Sequence, residues 1–561
     1  MTDEPEAAST QNSDEDSIQA EGTPSRGERR RRPRRRVRRA TPAPPDPRGP
    51  LVLLVAAALA IGIAGVGAAW PTPAETAVQP PVIEPVDTST LVCPEPGGAD
   101  GANVRTGIMI VPDIAGQDRP GAASVTYLGA PDRPVESTSL TPGAGLNAPG
   151  AAVQIDSDTG RTRPLFIQSE GGLAPGLVAG TYDLGLSGPR RGLAMMACPP
   201  PSPRWWFVGG GSTAGRTSTL YLVNSESSDA EVDVRIAGPD GIVNTPSVRG
   251  LVVPALSRVA VNLSRVAPRL PAAVWQVQVR TGRVVAALQD LDSEGLVQLG
   301  IDWVPPAAEP ATRVIIPGVL GGQGGRQLIV FAPGDTDAEV QVRILAQDGA
   351  FSPTEEATVE VAAGTVATVN LAGALGGAPA TIELLSDQPV VAGIRQRHPG
   401  VDATVQDIRT EVSYSTGAQR ISVLGAAATL PAVRGTQVNL WVTLPRPEGS
   451  AADESDTTDD TGTSVTVRIL PFGQGVQAPE PVVVSVPYDR AIAVPLERPE
   501  NATWFTVVVQ PSDKPVYVSQ TSLRRGQRGS LISGYPLTPM RTSVSLPSAR
   551  QSLPLSLPLA P

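Results

Sequence analysis

The chain holds a single histidine, His398, in the run Arg395-Gln396-Arg397-His398-Pro399-Gly400. A Ser-His-Asp triad must use it or be absent, and zinc sites built on several histidines are excluded on the same count. His398 reads as a surface-loop residue rather than a catalytic base. Lys514 lies in the turn Pro511-Ser512-Asp513-Lys514-Pro515, so Ser-Lys or Schiff-base chemistry has little to stand on. Carboxylate chemistry is what remains, since glycoside hydrolysis by paired Asp or Glu needs no histidine. The acids, however, fall mostly in turns or recur at equivalent strand positions, as solvated faces do. No catalytic, cofactor-binding or metal-ligating set emerges, and no cofactor is expected.

Three other features could carry chemistry or binding. Gly209-Gly210-Gly211 and Gly321-Gly322-Gln323-Gly324-Gly325 resemble phosphate cradles, but a cradle needs a helix next and usually GK[ST]. Strands follow here, so these are bulges or loops. Trp205-Trp206-Phe207 sits on a strand, where adjacent residues point to opposite faces. One tryptophan belongs to a core, and the other meets a neighbouring domain or, alternatively, a glycan. Cys93 and Cys198, each followed by proline, read as one disulfide closing a loop of about a hundred residues. A reactive or metal-binding thiol pair is the alternative, without a CxxC to support it. Asn501-Ala502-Thr503 matches a glycosylation sequon.

The elements that must position these residues are strands, written more than once. Ala230 to Ile236 (AEVDVRI) aligns with Ala338 to Ile344 (AEVQVRI) and with Thr463 to Ile469 (TSVTVRI), at offsets of 108 and 125. Val253 to Leu263, Val361 to Leu371 and Val486 to Leu496 align at the same offsets. Shared register over about a hundred residues means repeated whole domains, which form a rod or a cluster. Within each repeat, short β-branched runs alternate with Gly, Pro, Asp and Asn turns. Examples are Thr219 to Val223, Glu231 to Ile236, Arg258 to Leu263, Val274 to Val279 and Val284 to Leu288. Six or seven such strands per repeat, without an amphipathic helix, predict an all-β chain of tandem Ig-like β-sandwich domains. A propeller is the rival, but its blades repeat every 40–50 residues. The expected domains cover 91–200 (a diverged first copy closed by the disulfide), 204–305, 312–400 and 418–535. In the first copy, Thr106 to Pro112 resembles the opening Thr312 to Pro317, and Gly192 to Ala197 resembles Arg283 to Ala287.

Composition places these domains. Residues 1–50 carry eleven Arg against nine Asp and Glu and read as a disordered cytoplasmic tail. Leu51 to Trp70 is uncharged and, at 1.5 Å per residue, spans the roughly 30 Å hydrocarbon core. Nine arginines between Arg29 and Arg39 precede it and hold the N-terminus inside. This predicts a single N-terminal transmembrane helix acting as a signal anchor; a cleavable signal peptide ending near Val66-Gly67-Ala68 is the rival. Residues 71–90 read as a proline-rich stalk. Beyond residue 70 there are 34 Lys and Arg against 46 Asp and Glu, giving no reason to expect nucleic acid there. Residues 445–464 form an acidic, solvated loop in the last domain without EF-hand spacing. The tail 536–561 reads as extended or disordered.

Cys198, the run Trp205 to Gly211 and Thr219 to Asn224 (TLYLVN) carry a resemblance, with Val284 to Asp290 (VVAALQD), Asp302 to Pro306 (DWVPP) and Val314 to Gly318 (VIIPG). Over roughly Leu91 to Gly534 the chain resembles an actinobacterial, membrane-anchored, extracytoplasmic family of unknown function. The resemblance implies a secreted or anchored envelope protein and transfers no catalytic residue.

The expectation is therefore a non-enzymatic, single-pass protein of the cell membrane, with its bulk extracellular. It would serve as a scaffold or binding rod for envelope proteins or wall polysaccharide. The alternative is a carboxylate-dependent glycan hydrolase, or an accessory subunit of a glycan-processing enzyme. A third reading makes the arginine tail the functional end and the ectodomain a sensor.

Overall fold

The computed structural model describes residues 54–62 and 82–546, apart from 95–103, stretches within 131–144 and 158–162, residues 187, 189 and 296, and 400–409, 448–461 and 527–528. The chain divides into two compact parts, 1–79 and 80–561. In the first, residues 54–62 are helical. No helix among the described residues is long and apolar enough to cross a membrane; most of the run Leu51 to Trp70 lies outside them, as do the arginine cluster and residues 448–461 of the acidic loop.

The described residues of 80–561 form strands joined by turns and loops, with only single-turn helices among them. Alternation decides the inward face. In Ala230–Gly238, Val232, Val234 and Ile236 are buried while Glu231, Asp233 and Arg235 face outward, the period of two expected of a pleated strand. Val340, Val342 and Ile344 repeat the pattern, as do Val465, Val467 and Ile469.

Four modules share one strand order. In the second module the first strand (Arg204–Val208) pairs with the fifth (Val274–Thr281), which pairs with the third (Ala230–Gly238). Facing it, the fourth (Ser257–Asn262) pairs with the second (Arg216–Asn224), which pairs with the sixth (Val285–Glu294) and that with the seventh (Val297–Val304). The two sheets enclose one apolar cluster. The order 1-5-3 against 4-2-6-7 recurs in the other modules. In the third, Ala380–His398 is one continuous strand that serves as both fifth and sixth. Even the first module, strands Thr88–Cys93 to Gly192–Ala197, keeps the order. Cys93 and Cys198 are bonded, joining the end of its first strand to the residue after its seventh.

Several expectations change. An Ig sandwich keeps strands one, two, four and five together; here each strand from the first to the sixth changes sheet. Alternation reveals faces but not neighbours, so this order was not legible. The first-module segments 106–112 and 192–197 belong to the second and seventh strands, one place later than their matches suggested. The third module extends past 400, because Glu411–Thr416 is its seventh strand. Part of the tail is ordered: Thr538–Pro539 pairs with Gly425 and Ala426, and Ser543–Leu546 pairs with Val82–Pro85.

The modules also do not form a rod. The first strand of the fourth module (Gly425–Pro431) packs on the sixth and second strands of the first. The first strand of the third module (Ala311–Val319) packs in the same way on the fourth, and that of the second on Ala380–His398 of the third. Between the first and second modules, Ala194 and Met196 meet Ala287 and Trp303. Head-to-tail contacts that return to their starting point make a closed ring. Small residues permit the approach. A Cβ on Gly107 would lie 2.8 Å from the ring of Trp504, and one on Gly180 would lie 2.7 Å from the Ala428 carbonyl. Thr429 Oγ1 bridges both backbone groups of Gly107, accepting at 3.2 Å and donating at 2.9 Å.

Candidate functional site

The seventh strands meet at the centre of the ring: Gly192–Ala197 touches Val297–Val304, which touches Glu411–Thr416, which touches Gly529–Pro536, which returns to the first. Each pairs with its own sixth strand only, so its other edge faces the axis and needs polar partners there. Asp302 supplies them. Its Oδ1 accepts the Trp303 N–H at 2.9 Å and the Ser533 hydroxyl of the fourth module at 2.7 Å. The backbone N–H groups of Met195, from the first module, and Tyr414, from the third, act on the same carboxyl. This carboxyl thus bonds the second and fourth modules directly and reaches the first through Ser533, whose Oγ accepts the Met195 N–H at 3.0 Å.

A second carboxyl lies beside it. Glu411 Oε1 accepts the N–H of Ile301 at 3.3 Å and of Val412 at 3.2 Å, and its Oε2 lies 3.9 Å from Nη1 of Arg191. Arg191 also donates to the Gly529 carbonyl at 3.4 Å. Asp302 and Glu411 are both wholly buried. Burial pushes the Asp302 carboxyl well above the ordinary carboxylate range, against its hydrogen-bond donors. Burial does the same to Glu411, where the neighbouring Asp302 charge adds to it.

Other buried polar groups are joints too. Arg216 Nε and Nη2 lie 3.2 Å from Asp290 Oδ2 in the second module. Tyr414, from the third, accepts from Arg216 at 3.0 Å and donates to Asp290 at 2.5 Å. Arg395 of the third module bonds Asp292 of the second. Thr381 and Thr443 link the third and fourth modules, 2.6 Å between hydroxyls.

His398 is not a loop residue: it ends a strand and is buried. Its Nε2 lies 3.2 Å from the Ser413 hydroxyl and its Nδ1 3.5 Å from Arg326 Nη2. Burial first and the Arg326 charge second drive it down to about 3. A Ser-His pair with a guanidinium where a carboxylate should stand is the reverse of a nucleophile's arrangement. The glycine-rich loop serves this arginine, whose guanidinium donates to the carbonyls of Leu320, Gly321, Gly325 and Arg397 at 2.8–3.1 Å.

Trp205 and Trp206 are both buried. Trp205 lies in its own module's core and donates to the Val284 carbonyl at 3.0 Å. Trp206 packs with Ile329, Phe331 and Val391 of the third module, its Nε1 on Glu309 at 3.1 Å. Neither offers an open ring face to a sugar. A surface groove of about 540 Å³ is lined by Glu84, Asp87, Asp118 and Val544; its acids are exposed and Asp87 is paired with Arg119 at 2.8 Å. Among the described residues no group of three His, Cys, Asp or Glu could hold a metal ion.

The axial residues Asp302, Glu411, Arg191 and Ser533 were missed by sequence reasoning because three of the four seventh strands were missed. The one available signal was the segment Asp302 to Pro306.

A model of a family of unknown function, DUF5719, matches residues 153–496, well over half of the chain. The match runs from the fourth strand of the first module to the fourth strand of the last, a narrower span than 91–534. It carries no information about a membrane anchor or a bacterial source. No curated protein and no solved structure matches the chain.

Proposed function

The chain belongs to the DUF5719 family, and we propose, from its architecture, that it is a non-enzymatic scaffold of the cell envelope. In this reading Leu51 to Trp70 anchors it in the membrane, residues 1–50 stay in the cytoplasm, and the ring of modules stands outside. It would bind envelope proteins, with wall polysaccharide as the other candidate ligand. One observation carries the reading: the strongly perturbed carboxyls lie sealed at a junction of modules, where they hold the ring together and no substrate reaches them. Recognition then falls to outer edges and loops, as in other sandwiches of sheets.

The test is in-cell crosslinking of the full-length chain, followed by capture and identification of bound protein and carbohydrate. A reproducible envelope protein supports the scaffold. Polysaccharide alone would replace it with a glycan-binding role, and an empty capture would contradict it. A glycan hydrolase would instead release reducing ends from wall polysaccharide, and would lose that activity in Glu411→Gln.

A further inference from the structure

We propose that the carboxyl pair Asp302 and Glu411 keeps one proton between them, and that this proton holds the four modules at their axis, so that the ring weakens as pH rises.

The argument is charge accounting in a closed space. Both side chains are wholly buried, and an isolated buried carboxylate is strongly disfavoured. Among the described residues the charged groups on the neighbouring strands are otherwise engaged; on the first module Arg190 holds Asp183 at 3.0 Å. Asp290, directly across from Asp302, is held by Arg216 and Tyr414. Asp292 is held by Arg395. His398, directly across from Glu411, is kept neutral beside Arg326. On the fourth module, Tyr535 donates to the Ala428 carbonyl at 3.1 Å, and Arg524 and Arg525 reach the surface. Among the described residues, Arg191 is the one guanidinium within ion-pair distance of the pair, 3.9 Å from Glu411 Oε2. One guanidinium balances one carboxylate, so the second carboxyl stays protonated. Asp302 Oδ2 and Glu411 Oε2 are both buried without a hydrogen-bond partner, which is where such a proton would sit. The same arginine makes the pair a poor cation site. Because the two groups interact, the proton belongs to the pair rather than to either residue.

The sign follows. A carboxyl pair that keeps a proton in the folded chain above its unfolded value, about 4, has its full contribution below that value. The contribution is lost as pH rises through the folded value. Across that window the folding constant of the wild-type chain should fall about tenfold per pH unit relative to Glu411→Gln, which is about 1.4 kcal/mol per unit. Glu411→Gln keeps the shape and leaves one carboxyl against one guanidinium.

The experiment is denaturant unfolding of the full-length chain and of Glu411→Gln from pH 5 to 9, with infrared spectra of the native states. The expected result is diverging stability curves, and a protonated-carboxyl C=O stretch in the wild type at pH 8 that the variant lacks. Parallel curves overturn the proposal. If Glu411→Gln does not fold, the wild-type spectrum decides: absence of the protonated-carboxyl band at pH 8 overturns it.

Discussion

Replacing Tyr414 with phenylalanine tests whether the third module is seated on the second by a shared polar joint. Tyr414 is 1% exposed. Its hydroxyl accepts from Arg216 at 3.0 Å and donates to Asp290 at 2.5 Å. Phenylalanine removes that hydroxyl and leaves the ring. Two charged groups then lose a buried partner, a loss of about 1–3 kcal/mol, near the upper end because both are ionised. Asp290→Asn leaves Arg216 buried without its counter-charge, at a cost of about 3–5 kcal/mol. Both changes act on one network, so their combined cost should fall short of the sum by about 0.5–3 kcal/mol. The assay is urea unfolding of residues 80–561 at pH 7, with slopes compared to confirm that the same surface is exposed. A Tyr414→Phe cost below about 0.5 kcal/mol, or strictly additive variants, would refute the joint.

Other consequences follow from the same contacts. Cys93 and Cys198 are 105 residues apart, so the Cys93→Ala, Cys198→Ala double variant should lose about 3–5 kcal/mol of stability by denaturant titration. His398 has its value lowered to about 3. It therefore contributes stability above its unfolded value, about 6.5, that is lost as pH falls toward 3. His398→Asn should flatten that acid limb, and an unchanged slope in a pH series of melting curves would count against the burial. Gly107→Leu should separate the fourth module from the first, because any Cβ there meets Trp504 and Thr429. Increased hydrogen exchange in 425–431, with the second and third modules unaffected, is the expected readout.

What could be read in the sequence depended on where apolar residues face. Val232, Val234 and Ile236 alternate with charges because one side of their strand meets core and the other meets water, so the repeats and most strands were visible. The seventh strands were not. Val297–Val304 (VQLGIDWV), Glu411–Thr416 (EVSYST) and Gly529–Pro536 (GSLISGYP) are buried on both sides. One of those sides is a polar axis, and that spoils any period of two. Asp302 and Glu411 consequently looked like surface acids. His398 looked like a loop residue because proline and glycine follow it, yet a long strand carries it inward. The disulfide was legible, since two cysteines without a CxxC spacing have few other roles. Ring closure was not, because it rests on contacts between Gly107 and Thr429, residues whose types advertise nothing.

Small-angle X-ray scattering of residues 80–561 tests the closed ring most directly. Four modules of about 110 residues, each near 13 Å in radius of gyration, give about 25 Å when closed on an axis and about 40 Å when strung in line. A value near 25 Å is predicted; a value near 40 Å would contradict the ring and the axial site built on it.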